Sequence, residues 1–275
     1  MKIEYNKNYV GDSDKIVKVL LKQGIKFDLI LTDPPYNLNK DFGNDSDCLP
    51  LDDFLKVTKK RMKNYREILN DYGSIVWFGI HKYIGYIQVI MYETGLHYRT
   101  MNIWYYENGF SRNRTSPLGQ YEPFLCFSKS DKKWTYNVDD VRTPYKSTER
   151  LKTPVYYKNK NGEKVEWKPN PKGAMRGDVW EYPTLAGKAF AKEKTSHPTQ
   201  KPESLIMELI KAYCPKNKEG KYEGTILDPF HGSGTLGVCC EKLNKQGHNI
   251  KWIGIELEKK WSDICEERLK AVRGE

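Results

Sequence analysis

Six cysteines in 275 residues, none in C-x-x-C spacing and none beside paired histidines, give neither a zinc centre nor a disulfide framework. Cys239 and Cys240 sit in an apolar segment and read as small core fillers. No apolar run approaches the ~20 residues of a membrane span. The N-terminus has no signal-peptide core either, so the expectation is a soluble, cytoplasmic protein without a membrane partner. No internal repeat occurs, and no Walker-type lysine–hydroxyl pair follows a glycine loop. The length lies between one and two ordinary domains and allows a sizeable core.

Positive charge is plentiful. The net charge is +10 with a pI near 9.1, which suits a polyanionic partner. Residues 129–194 hold 16 Lys/Arg against nine Asp/Glu, so most of the surplus lies in about a quarter of the chain. The same stretch carries Trp134, Tyr136, Tyr145, Tyr156, Tyr157, Trp167, Trp180 and Tyr182. Cations interleaved with aromatics are the footprint of a nucleic-acid contact. The composition is equally that of a solvated, lysine-rich insertion, and the sequence leaves both open.

The chain opens as strand, helix, strand: a short strand at 8–10, a helix over 14–21, and a largely apolar strand over 27–31 that reads as fully buried. A polar loop over 39–49, mobile above the site, precedes a helix over 51–69, a strand over 73–79 and a helix over 82–93. Runs at 98–106 and 122–128, joined through the basic loop 108–114, read as an antiparallel pair finishing one sheet edge. Residues 129–195 show no period and read as an irregular insertion or small subdomain between halves 1–128 and 196–275. Beyond it come a helix over 203–213, a strand over 225–227, a glycine-rich turn, an apolar helix, a strand over 252–256 and a last helix over 258–272.

Two stretches carry chemistry. The buried strand stops at Asp33-Pro34-Pro35-Tyr36. Adjacent prolines cannot continue a ladder or enter a helix, so the backbone leaves the sheet in a stiff turn at a carboxyl end, where open α/β sheets bind ligands. The Asp33 carboxylate and the Pro34 carbonyl become fixed acceptors beside an aromatic face, an arrangement suited to a planar group bearing an NH2. The second stretch is Asp228-Pro229-Phe230-His231-Gly232-Ser233-Gly234-Thr235, a glycine crossover from strand to helix. Its glycines let backbone amides approach a ligand. Glu256, one strand later, is placed to accept from ribose hydroxyls, so this half reads as a nucleoside-type cofactor site.

Together with His197-Pro198-Thr199-Gln200-Lys201-Pro202, these motifs resemble the β group of amino DNA methyltransferases that use S-adenosylmethionine. The likeness runs from Gly11 to about Leu269, apart from the recognition segment, with the catalytic motif first and the glycine loop last. It implies an α/β, permuted Rossmann-like methyltransferase fold: a mixed seven-stranded sheet, helices on both faces and an irregular target-recognition insertion. By resemblance, Asp33, Pro34, Pro35 and Tyr36 are catalytic. Phe230, Gly232, Gly234 and Thr235 wrap the cofactor's methionine part with Asp228 behind. Glu256 binds the ribose, Asp12 lies near the adenine, and Thr199, Gln200 and Lys201 close over the methionine end, where the lysine could pair with the cofactor carboxylate.

The implied reaction moves a methyl group to the exocyclic amine of a base flipped out of double-stranded DNA, with residues 129–194 as the DNA contact. Asp in the first motif position leans towards 6-methyladenine; 4-methylcytosine is the alternative. Carbon-5 chemistry would need a cysteine in a Pro-Cys pair, which this chain lacks. An RNA or protein amine methyltransferase is the second class, and a binding protein with a dead site the third. The resemblance further implies a homodimer, and either a cognate restriction endonuclease or an orphan modifier.

Overall fold

A computed structural model describes residues 2–40, 42, 47–109 and 114–275. The chain runs β1 (Lys7–Val10), α1 (Ser13–Lys22), β2 (Phe27–Thr32), α2 (Leu51–Ile68), β3 (Leu69–Phe78), α3 (Ile84–Glu93), β4 (His97–Tyr105) and β5 (Tyr121–Ser128). It continues through α4 (Glu149–Lys152), β6 (Val155–Lys158), β7 (Lys164–Trp167), β8 (Val179–Glu181), α5 (Glu203–Tyr213), β9 (Glu223–Asp228), α6 (Thr235–Lys245), β10 (Asn249–Glu256) and α7 (Lys259–Arg273).

The apolar run Leu29-Ile30-Leu31 in β2 is continuous because both faces of that strand are covered. Leu29 and Leu31 enter one core with α5, α6 and α7, while Ile30 enters the other with α1, α2 and α3. A parallel strand buried on both sides reads as an unbroken hydrophobic stretch rather than an alternating one. The sheet order is β1-β10-β9-β2-β3-β5-β4-β8, and β5 alone runs against the others. The mixed α/β architecture with helices on both faces is therefore present, with eight strands where seven were expected.

The eighth is β8, from within the expected insertion. It pairs in parallel with β4 from Ile103↔Val179 to Tyr105↔Glu181, and Trp180 is fully buried against Phe124. Residues 129–195 are thus less irregular than expected: one strand joins the main sheet, and β6 and β7 form a separate antiparallel ribbon. The 39–49 loop lies partly outside the described residues, as does the centre of the 108–114 loop. The described ends of the first are clasped by buried Asp47, whose carboxylate accepts from the amides of Asn37, Leu38 and Lys40. Among the described residues no helix is long and apolar enough to cross a membrane.

The order of crossovers sets the position of the site. From β2 the chain moves outward through α2 to β3; from β9 it moves the other way through α6 to β10. Strands β2 and β9 are neighbours, so a crevice opens at their carboxyl ends, where such a reversal places ligands.

Candidate active site

A cavity of about 270 Å³ opens at those strand ends. Asp12 from the end of β1, residues 33–36 from β2, residues 228–233 and Thr235 from β9 and the loop after it, and Glu256 from β10 all line it, with Thr199, Gln200 and Lys201 closing one side. Sequence positions 12 to 256 meet here because every strand contributing a residue ends on the same rim. The two halves are joined directly. Buried Thr32, the last residue of β2, donates to Asp228 Oδ1 at 2.8 Å, and the Phe230 amide donates to the same oxygen at 3.1 Å. Asp228 therefore ties the proline turn to the glycine loop from behind.

The glycine loop is shaped by left-handed backbone. Gly234 has φ +81°, and a Cβ there would lie 2.3 Å from Cys265 Sγ on α7. Gly232 has φ +51°, with His197 Nε2 2.9 Å from the equivalent point. At Gly232, on the cavity wall, no side chain fits and the loop stays bare; at Gly234 the missing Cβ lets α7 pack against the loop. The Glu256 carboxylate accepts from the amides of Gly232 at 2.9 Å and Glu258 at 2.8 Å, and burial pushes it above the ordinary carboxylate range. It lies on the rim with lone pairs remaining for hydroxyl donors. Asp12 caps α1 through the Lys15 amide and also lines the cavity. Phe230 packs edge-on against Trp77 with the Arg61 guanidinium over its ring.

Two expected residues are placed otherwise. Lys201 does not reach towards the glycine loop. Its ammonium lies 2.5 Å from Asp33 Oδ2 and 3.0 Å from Glu122 Oε2, enclosed by the rings of Tyr36, Phe78 and Trp104 at 5.3–5.5 Å. Gln200 folds back: its carbonyl accepts from Thr195 and its NH2 donates to the Glu193 carbonyl, so it braces the strap before α5. Tyr36 is half-buried, and its hydroxyl bonds both Asp33 and Glu122. Burial pushes the Asp33 carboxyl up, against the pull of Lys201 beside it. Burial would also favour neutral Lys201, yet two adjacent carboxylates outweigh it and hold the ammonium above its ordinary range.

Glu122 was not singled out in the sequence. The available signal was a lone carboxylate at the mouth of an otherwise apolar strand, Tyr121-Glu122-Pro123-Phe124-Leu125. His231, inside the glycine motif, also escaped notice. It is buried, stacks on Trp252 at 5.4 Å and 18°, and occupies space that Gly254 leaves free, where a Cβ would lie 2.4 Å from its ring.

Comparisons with known proteins point to one family. A family model described as DNA methylase matches residues 27–267. The type II methyltransferase M.HpaI of Haemophilus parainfluenzae is 35% identical over 244 residues, covering 88% of this chain and 68% of that protein. The type II methyltransferase M1.MboII of Moraxella bovis is 34% identical over 223 residues, covering 79% and 81%. Among solved structures, the M1.HpyAVI–SAM complex superposes with a TM-score of 0.65 at 26% identity, covering 96% of this chain and 98% of that one. The cytosine-N4-specific PvuII DNA methyltransferase superposes at 0.67 with 13% identity, covering 99% and 92%, a likeness of fold alone.

Proposed function

The chain belongs to the DNA methylase family and is an S-adenosylmethionine-dependent DNA amino-methyltransferase, and we propose that its target is the 6-amino group of adenine, gripped by Asp33 and Pro34. The lean to adenine rests on Asp33 in the first motif position; the observation that carries the transfer itself is the shared cavity, where the Asp33 turn and the bare glycine loop face one space and are bonded through Thr32 and Asp228.

The residues present fit the cofactor. Left-handed Gly232 leaves room for close backbone approach, the Glu256 carboxylate suits vicinal hydroxyls, and Asp12 lines the same cavity. Phe230, Thr235, Thr199 and Gln200 complete its walls. When bound, S-adenosylmethionine would supply a sulfonium methyl and leave as the neutral thioether once its sulfur–methyl bond is broken. The chain's own work is on the amine, whose lone pair is delocalised into the base. Acceptance of its N–H groups by Asp33 and the Pro34 carbonyl favours a pyramidal nitrogen and stabilises the positive charge that grows there as the N–C bond forms. The new cation then sheds one N–H proton, for which Asp33 is the adjacent base. Tyr36 supplies the ring against which the flipped base stacks, and Pro35 holds the turn stiff.

The DNA contact in this reading is residues 129–194, and its most prominent part is the β6–β7 ribbon. Tyr156, Tyr157, Lys158, Lys160 and Lys164 are all exposed there, with the Lys164 ammonium 4.4 Å over the Tyr156 ring. A two-stranded ribbon fits the major groove. A homodimer and a cognate restriction endonuclease belong to the same proposal; the half-exposed Tyr86, Val89 and Tyr92 on α3 offer apolar surface to a second copy.

Incubation with tritiated cofactor and duplex DNA, followed by nucleoside mass spectrometry, tests the assignment. The expected product is 6-methyladenine; 4-methylcytosine would move the same chemistry to cytosine, and label found only in RNA or protein would defeat the DNA reading. Asp33→Ala should abolish transfer while cofactor binding persists.

A further inference from the structure

We propose that Glu122 is a positioning residue for methyl transfer: it is the second anchor that retains the Lys201 ammonium when the target amine takes its place on Asp33. The inference rests on the reading that Asp33 accepts the amine, and goes beyond it to how that acceptor is kept free.

Three separate elements meet in the cluster. Asp33 follows β2, Glu122 lies at the start of β5, and Lys201 directly precedes α5. The Tyr36 hydroxyl stands between the two carboxylates and also lies 3.3 Å from the ammonium. Lys201 is 7% exposed, so its charge cannot leave for water without a large movement. In the resting arrangement its ammonium sits closest to Asp33, in the position the substrate amine needs.

The charge count explains the second carboxylate. Asp33 alone would suffice to neutralise Lys201, and a further carboxylate in a largely desolvated site is costly if nothing matches it. Two carboxylates and one ammonium leave a surplus of one negative charge. During transfer the amine nitrogen becomes a second cation, and the count closes. The amine takes Asp33, Lys201 stays on Glu122, and the three aromatic faces hold the ammonium through the exchange. Without Glu122 the amine would have to compete with a buried ammonium for a single carboxylate. The other titratable groups facing the cluster are Tyr106, which feels Glu122 and Lys201, and His197, which feels Lys201 from the cofactor side.

The test uses the full-length enzyme with tritiated S-adenosylmethionine and genomic DNA from a methylation-deficient bacterial host, at single turnover across pH. Glu122→Gln is expected to lower the maximal rate about tenfold to a hundredfold while cofactor affinity stays as in the wild type. Its acidic limb should also move to lower pH, because loss of a neighbouring negative charge makes Asp33 easier to ionise; a purely structural role would leave the limb in place. Glu122→Asp, which keeps the charge, should keep the wild-type limb. A wild-type rate and limb in Glu122→Gln, or a limb equally displaced in Glu122→Asp, would overturn the proposal. A crystal of the wild-type enzyme with cofactor and a duplex holding a flipped base gives a second, variant-free measurement. Lys201 should be bonded to Glu122 and no longer to Asp33; an ammonium still on Asp33, or turned to the cofactor, refutes it. Asp33→Asn separates the two levels. Wild-type activity in that variant would sink the amine-acceptor reading itself, whereas an inactive Asp33→Asn beside an unimpaired Glu122→Gln would remove only the role of Glu122.

Discussion

Gly234→Ala probes the link between the glycine loop and the core, and its cost can be worked from the geometry. Gly234 is the left-handed residue that starts α6, at φ +81°. Putting a Cβ residue there costs roughly 1–2 kcal/mol from the backbone alone. The added carbon would then sit 2.3 Å from Cys265 Sγ and 2.9 Å from its Cβ. Cys265 is fully buried on α7, so relief requires α6 and α7 to separate, an overpacking cost of about 1–3 kcal/mol. The sum is about 2–5 kcal/mol, which in a chain of this size lowers Tm by roughly 5–15 °C. Calorimetry and urea unfolding followed by tryptophan fluorescence read the loss, and titration with cofactor reads the displaced loop. Cys265→Ala in the same background removes Sγ but not Cβ, so it should recover part of the loss and not all of it. A Gly234→Ala protein that melts with the wild type would refute both the backbone and the packing arguments.

Two further outcomes follow from the site and the ribbon. Burial first, then the Lys201, Lys260 and Arg268 cations, hold His197 down at about 4, against an ordinary value near 6.5. Between those values the unfolded chain takes up a proton that the folded one refuses, so this contribution to stability is whole above pH 6.5 and is lost as pH falls towards 4. His197→Gln should flatten that acid slope by roughly 2–3 kcal/mol, read by urea unfolding at stepped pH, and an unchanged slope would exclude His197 as its source. For the ribbon, Lys158→Ala with Lys164→Ala should make the plot of log binding constant against log salt shallower by about 2 with cofactor affinity unchanged; an unaltered slope would place the phosphate contacts elsewhere.

The legible parts of the chain were those governed by local rules. β2 was readable because the apolar stretch Leu29-Ile30-Leu31 soon meets two prolines, and α5 because Pro202 opens an apolar-periodic stretch. The glycine loop was readable because its residues fill positive-φ positions that few others tolerate. The ribbon was missed although Asn161-Gly162, with Gly162 at φ +82°, is a turn signal. Its strands are four residues each and mostly exposed, so they leave almost no hydrophobic period. At three residues β8 is shorter still, and only the packing of Trp180 against Phe124 reveals it as part of the sheet.

Outside residues 129–195 the sequence by itself determined the order of strands and helices, the stiff turn after β2 and the bare loop after β9, because prolines, glycines and apolar periodicity act within a few residues of where they stand. Membership of an amino-methyltransferase family was already visible in those motifs. Only the tertiary structure decided that Lys201 rests on Asp33 and Glu122 rather than at the glycine loop, and that Gln200 braces its own strap. An ammonium enclosed by rings and carboxylates from four strands goes where the summed charge and burial are most favourable. That sum is taken over residues up to 168 positions apart, which no local pattern encodes.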